Sequence, residues 1–501
     1  MTPEQKGSLP LRVEKLFYEM QDRIFSDVVR RIKKTGEITS TADYQINKLL
    51  ILGNSTEFIE QEIKRLTGKT DPEIWELYDQ VSNWEYVRYE DAYRQINGRF
   101  VPLEENEQIQ QWAQAVISQT NGEIENITQS LGLMIDAGGG KKAFTPLAQY
   151  YQTYLDRACM DIVTGVFDYN TVLRRVVKEM TASGIKSISY ASGHINRVPV
   201  AVRRAIMTGV SQLSAQINEM VAKDFGTDTY EVTWHAGHRP SHWWGGNVYT
   251  KQELQDICHL GDVDGLCGAN CRHSYLAFIS GYSVRTYTDD QLFEMEAREE
   301  ITKTWRGKEY NPYEASQMQR QMETKMRSQR ANVRQLQQGG ADKDDVLTAK
   351  SRYLNTLHQY QAFSKAMKLP EQMERVYMDG LGRVAPGKVT YRKTVAKMEK
   401  NAILKSKLRE VGLRGTIHTS PVKIDMALLS FDNEHINRQR DHGGLFEEAK
   451  SFISNAVISE TVWNGRFERY YSYDGVAYVN KNNLQIRTAY KPEQYTKTVQ
   501  K

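Results

Sequence analysis

In LRVEKLFYEMQDRIFSDVVRRIKKTG, residues 11–36, apolar side chains at Leu11, Val13, Leu16, Phe17, Met20, Ile24, Val28, Val29 and Ile32 recur mostly at three- and four-residue steps. That period predicts an amphipathic helix stopping at Gly36. ITSTADYQINKLLILG and TDPEIWELYDQVSNWEYVRYEDAYRQI repeat it, the second with Thr70 or Asp71 as cap and Pro72 at the first helical position. Residues 8–130 read as helices. Helices resume from Phe144 to Val221, interrupted by GIKSISYASGHINRVPV (184–200), where Gly, Ser and His mark a turn or short extended piece. IDAGGGKKAF (135–144) lacks the Ser or Thr after lysine and the leading glycine of a phosphate loop, so a loop between helices is expected there.

The period then changes. TDTYEVTWHAGH alternates β-branched or aromatic residues with others and predicts a strand, followed by Gly-, Cys- and His-rich loops up to GYSVRTYT. Residues 287–400 return to helix: NPYEASQMQRQMETKMRSQRANVRQL opens on Asn311 and Pro312, and Met318, Met322 and Met326 form a packing stripe. GGADKDD (339–345) separates it from a second helix through about Ala366, and GLGRVAPGKV (380–389) closes the helical part. In the last hundred residues HTSPVKIDMALLSF, RFERYYSYDGVAYV and LQIRTAY are short, aromatic and β-branched, with Asp474-Gly475 as a hairpin turn and GLFEEAKSFISNAV as one helix. The expected fold is a mainly α body (1–225), a small α+β His/Cys-rich element (226–290), a helical connector or hairpin (291–400) and a C-terminal α+β domain (401–501).

Composition narrows the class. A chain of 501 residues exceeds one ordinary core. No stretch approaches the ~18 apolar residues of a membrane span. The opening MTPEQKGSLPLRVEK has no apolar signal-peptide centre, so a reducing cytoplasm is expected and the four cysteines read as thiols or metal ligands. Net charge is +4, and residues 401–501 hold 15 Lys and Arg against 11 Asp and Glu. That balance argues against a general grip on DNA by the whole molecule.

Half of the ten histidines and three of the four cysteines fall in residues 235–273. WHAGHRPSHWWGGNVY supplies His235, His238 and His242, and LCGANCRHS supplies Cys267, Cys271 and His273. Structural zinc takes four Cys or His ligands, often two of them across a short loop, and Cys267-x3-Cys271 is such a pair. His273 and a histidine of the preceding segment would complete the sphere. Imidazoles and thiols packed among Trp234, Trp243 and Trp244 account for the same residues without metal. A Cys–His nucleophile or an open catalytic zinc lacks a supporting acid such as an HExxH helix.

WHAGHRPSHWWGGNVYT followed by GLCGANCRHSYLAFISGYS closely resembles the signature of the phage minor capsid protein family, second type. MDIVTGVFDYNTVLRRVVKEMTASGI, SYASGHINRVPVAVRRAIMTGVSQL and the helical opening look alike too, so the resemblance covers about residues 8–290. It implies a low-copy structural protein of a tailed-phage head, joining portal and major capsid proteins, located in the virion and, during assembly, in the host cytoplasm. The family pattern matches His235, Arg239, Pro240, His242, Gly246, Cys267, Gly268, Asn270, Cys271, Arg272 and His273. His238 stands where a small residue is expected. The implied structural zinc ligands are therefore drawn from His235, His242, Cys267, Cys271 and His273.

FDNEHINRQRDHGGLFEEAKSFISNA and WNGRFERYYSYDGVAYVNKNNLQIRTAY resemble, less specifically, the barnase, EndoU and RelE-like nucleases fused behind phage minor capsid proteins, over about residues 405–501. A metal-independent RNase needs a base for the ribose 2′-hydroxyl, an acid for the leaving oxygen and cations for the phosphorane. Helical spacing puts His435, Arg438 and His442 on one face, Arg487 and Thr488 would meet them from a strand, and Tyr471 or Tyr473 would donate a hydrogen bond or stack on a base. Alternative expectations are a virion-delivered RNase effector that uses the capsid part as vehicle, or an inactive module that binds RNA, DNA or protein.

Overall fold

The computed structural model describes residues 1–38, 55–97, 99–136, 141–189, 193–410, 412–432, 446–463 and 465–491. The body is built on α1 (Pro3–Ser8), α2 (Leu11–Thr35), α3 (Ser55–Tyr86), α4 (Glu107–Gln129), α5 (Tyr169–Ser183) and α6 (Val198–Asp224). The apolar stripe of α2 is the buried one: Val13, Phe17, Met20, Ile24, Val28 and Ile32 are all sealed from solvent. Helix α6 packs against α2, α3 and α4 at once. That close approach needs Gly209, where a Cβ would lie 2.1 Å from the Tyr78 Oη.

Two local expectations are corrected. Pro72 does not open a helix; it lies inside α3, which continues through it. An internal proline removes one backbone hydrogen bond and crowds the carbonyl four residues earlier, here that of Gly68. Much of 135–144 is also not loop. β1 (Leu131–Asp136) pairs antiparallel with β2 (Lys142–Pro146), in a sheet of order β2-β1-β3-β4 with β3 (Lys186–Ile188) and β4 (Ile195–Arg197). Buried Leu131 and Leu133 hold β1 on the core, while a run this short is ambiguous by periodicity alone.

After α6 comes the three-stranded sheet β6-β5-β7: β5 (Thr229–Val232), β6 (Val248–Thr250) and β7 (Tyr275–Ala277). Helix α7 (Asp289–Glu299) and the hairpin β8 (Lys303–Trp305)–β9 (Lys308–Tyr310) lead to α8 (Pro312–Gln338) and α9 (Lys343–Met367). Asn311 caps α8 in a reciprocal capping box with Glu314, and Pro312 holds its first turn. Met326 and Val333 are fully buried, in the same hydrophobic cluster as Phe17 of α2 and Val176 of α5. The α8–α9 hairpin thus packs onto the body through a shared core. Helix α10 (Lys388–Glu410) follows.

The C-terminal part is a six-stranded sheet of order β10-β12-β13-β14-β15-β11: β10 (Thr416–His418), β11 (Ser430–Phe431), β12 (Ile458–Val462), β13 (Phe467–Tyr471), β14 (Val476–Asn480) and β15 (Gln485–Tyr490). The β11–β15 pair is parallel and the others antiparallel, and Asp474-Gly475 lies in the β13–β14 turn, where a Cβ on Gly475 would strike the Phe452 ring. Helix α11 (Phe446–Ser454) covers one face, with Phe452 and Ile453 against Tyr470, Ala477, Val479 and Ile486. The chain is a mainly α body with a His/Cys-rich α+β element and a C-terminal α+β domain, as expected. Among the described residues no helix is long and apolar enough to cross a membrane.

Candidate metal centre and C-terminal polar cluster

Two loops hanging from the β6-β5-β7 sheet make the first site. The loop after β5 turns through the 3-10 segment Pro240–His242, and the loop before β7 carries Cys267, Cys271 and His273. Arg239 ties them, donating from Nη2 to the Ala269 carbonyl at 2.6 Å. The second loop is tightly wound: a Cβ on Gly268 would lie 2.1 Å from the Asp262 carbonyl oxygen, and Cys267 and Asn270 hold left-handed φ of 62° and 58°. Such conformations are costly for residues with side chains and persist where the surroundings enforce them. From outside, α7 holds the first loop by Glu296 on Trp234 Nε1 (2.7 Å) and Glu299 on the Gly237 N–H (2.8 Å). From the body, the buried Lys6 of α1 donates to the His273 carbonyl at 2.6 Å.

His242, Cys271 and His273 converge, all buried, with ligand atoms within 4.8 Å of one another. His242 Nδ1 lies 3.3 Å from His273 Nδ1, and Cys271 Sγ lies 3.5 Å from the same nitrogen. Tetrahedral zinc at its usual bond lengths separates two nitrogens by about 3.3–3.4 Å and a nitrogen from a sulfur by about 3.6 Å. The donor set fits that ion. His242 Nε2 lies 2.7 Å from the Asp264 carbonyl, which takes its N–H and leaves Nδ1 with a lone pair aimed at the cluster. Burial holds His242 and His273 below the usual imidazole value, His273 strongly, so both are neutral, the form that binds metal.

The other candidates stand around this trio. His235 stacks on His273 (centroids 4.5 Å apart), and its Nδ1 accepts from Arg272 Nη2 at 3.0 Å. Burial, then Arg272, lowers its value to about 3. Cys267 lies outside the converging group, with its thiol pushed up to about 11 by burial. His238, set aside by the sequence pattern, has Nε2 3.2 Å from Glu296 Oε1. Trp244, 1% exposed, stacks on His242 and leans on His273.

Of the C-terminal candidates, His435, Arg438 and His442 lie outside the described residues. Tyr471 is buried on the face opposite α11, its Oη donating to Glu460 Oε2 (3.1 Å), which also takes Arg469 Nη1 (3.3 Å). The Gly415 N–H fills the other Glu460 oxygen at 2.6 Å. Thr488 pairs with Tyr478, itself opposite Arg469, and so shares this face; the Arg487 guanidinium lies over the Phe467 ring at 5.4 Å. Tyr473 is fully in solvent.

The other face holds a cluster that sequence reasoning missed. Glu468 accepts from Ser459 Oγ (2.6 Å) and Thr461 Oγ1 (2.5 Å), with Lys481 Nζ 3.7 Å away. His418 Nε2 lies 2.9 Å from Thr461 Oγ1. That hydroxyl's proton goes to Glu468, so Nε2–H donates to it and Nδ1 keeps its lone pair. Burial, then Lys481 and Lys405, lowers His418 to about 4, whereas burial raises Glu468 and lowers Lys481. Lys481 Nζ also caps the Phe167 ring of the body at 4.1 Å. His418 pairs with Ser459 and Thr461 with Glu468 across the ladder, a register that spacing along the chain does not disclose.

No curated protein and no solved structure matches this chain. Residues 1–364 match the family model described as phage minor capsid protein 2, across the body, both His/Cys loops and most of the α8–α9 hairpin. The chain therefore belongs to the phage minor capsid protein 2 family and is a structural protein of the phage head.

Proposed function

We propose that this chain is a low-copy component of a tailed-phage head that joins the portal and major capsid proteins during assembly in the host cytoplasm, and that its paired loops are clamped by one structural Zn²⁺. The observation that carries the clamp is the agreement of the 3.3 Å and 3.5 Å donor separations with tetrahedral zinc. His242, Cys271 and His273 would be the core ligands, and Cys267 or His235 would supply the fourth. Cross-linking of two loops by metal stabilises the folded element directly. Elemental analysis of the purified chain should find about one zinc per molecule, lost in Cys271→Ser and in His242→Ala; zinc-free wild type sinks the clamp. Mass spectrometry of purified heads should find the chain at a few copies per particle, and its absence there refutes the head placement.

A second reading, RNA cleavage by the C-terminal sheet, is favoured by the His418–Glu468–Lys481 cluster. His418 Nδ1 would take the proton of a ribose 2′-hydroxyl, O2′ would attack the phosphorus, and the P–O5′ bond would break as the Lys481 ammonium protonates the leaving oxygen. The products are a 2′,3′-cyclic phosphate and a 5′-hydroxyl, with no co-reactant consumed. Glu468 would stabilise the imidazolium formed. The alternative catalytic set is Tyr471, Arg487 and Thr488 on the opposite face together with His435, Arg438 and His442, which lie outside the described residues. Comparing His418→Ala with His435→Ala on RNA assigns the face: loss in the first alone supports the cluster, loss in the second alone supports the other face, and no cleavage by wild type refutes both. The same cleavage, delivered by the virion, would constitute the effector role.

A further inference from the structure

Helix α10 carries eight lysines and arginines against two glutamates, a local excess of +6 in a chain whose net charge is +4. All eight cations are exposed, and Thr394 is the helix's one buried residue. A solvated helix in a soluble protein ordinarily alternates its charges, so that acids and bases four residues apart compensate. Here, among the described residues, Lys397 alone of the eight has an ion-pair partner, Asp344 at 2.9 Å. Lys393, Lys397, Lys400 and Lys407 fall on one stripe of the helix, at steps of four, three and seven.

Other elements add cations instead of neutralising these. Partial desolvation, then Arg352 of α9, Lys178 of α5 and Arg409 hold the Lys405 ammonium below its usual value. Burial, then Lys481, Lys405 and Arg174, depress His418 at the sheet edge. Crowded like charges oppose folding, and a bound polyanion relieves them. At ~1.5 Å per residue the helix is about 35 Å long, too extended for one small anion and matched to a polymer of regularly spaced charges.

We propose that the basic stripe of α10, with the cations gathered at its C-terminal end, is a binding surface for the phosphate backbone of nucleic acid. Helix α10 itself lies outside residues 1–364, which match the capsid family, although Arg352 and Lys178 lie within them, and the surface ends beside the sheet cluster. It does not depend on cleavage: an inactive sheet leaves it intact. Backbone recognition of this kind is sequence-independent and works through release of condensed counterions.

Fluorescence anisotropy of the full chain with labelled twenty-residue single-stranded RNA, single-stranded DNA and duplex DNA, from 50 to 200 mM NaCl, tests the proposal. With about six phosphates neutralised, a single strand should bind a few hundredfold more weakly at 200 mM than at 50 mM, and the triple variant Lys393→Glu/Lys400→Glu/Lys407→Glu should lower that ratio to about twentyfold. The three positions are exposed and lack ion pairs, so the circular dichroism of the variant should match wild type; a Lys→Gln triple variant serves if it does not. Preference for RNA or for duplex DNA identifies the polymer presented to the surface, and either supports it. Failure to bind any of the three at 50 mM, binding of polyglutamate alone, or an unchanged salt dependence in the triple variants overturns it.

Discussion

Gly209→Ala probes the helix crossing on which the head body rests. In an isolated helix the change favours folding by about 1 kcal/mol, because alanine is the better helix former. In this chain the added Cβ falls 2.1 Å from Tyr78 Oη and 2.8 Å from Val116 Cγ1, both in the interior between α3, α4 and α6. The phenol cannot simply step aside, since its oxygen is held at 2.7 Å from Thr120 Oγ1. Moving it breaks a buried hydrogen bond, costing about 1–3 kcal/mol, and overpacking adds about 1–3 kcal/mol. Set against the helix-propensity gain, the net expectation is a destabilisation of about 1–5 kcal/mol. Thermal unfolding followed at 222 nm should show a midpoint lowered by several degrees. The double variant Tyr78→Phe/Gly209→Ala removes the clashing oxygen and should be less destabilised than the two single changes summed. A Gly209→Ala protein that melts at or above the wild-type temperature, or additive double-variant behaviour, would falsify the packing argument.

Three further outcomes follow from the interior and the sheet. Arg330, 1% exposed, is held by Asp379 at 2.7 and 2.9 Å, so Asp379→Ala strands a buried guanidinium and should cost about 3–5 kcal/mol in urea unfolding. Trp244→Ala should cost about 3–5 kcal/mol and loosen the loops it packs against, read as faster loss of zinc to a chelator than in wild type. His418 has a folded value of about 4 against 6.5 unfolded, so the unfolded chain binds the extra proton first. Stability contributed there is complete above pH 6.5 and falls as pH drops towards 4, by about 1–2 kcal/mol after allowing for partial exposure; His418→Gln should flatten that part of the pH profile.

The long helices were legible because burial and period largely coincide: α2 seals most of the apolar positions that the spacing picks out, although Glu14, Asp27, Arg31 and Thr35 are buried with them. The Asn311 box and the Asp474-Gly475 turn were legible because their chemistry is local. Pro72 misled because its local chemistry suits a helix start, whereas the helix begun at Ser55 runs on through it to Tyr86. Within the His/Cys loops, spacing identified the right neighbourhood, whereas ring orientation separates His242 and His273 from His235, which turns its face to His273 and its nitrogen to Arg272. His418, Glu468 and Lys481 are scattered over sixty residues of sequence, and only strand register assembles them. The charge of α10 was diluted in a whole-chain balance and shows once the helix boundaries are drawn.

The contact between Lys6 and the His273 carbonyl spans 267 residues of sequence, which gives it a meaning in time as well as in space. At ~5–20 residues per second a ribosome needs on the order of 13–50 s to make the chain between them. For that interval the Lys6 ammonium lacks this acceptor, while the partners of the helix's two flanks, Glu85 for the Met1 amine and Arg203 for the Gly7 carbonyl, are made earlier. The Lys6 contact can therefore close only after the loop carrying His273 has been made, and it completes a docking that the body has already begun.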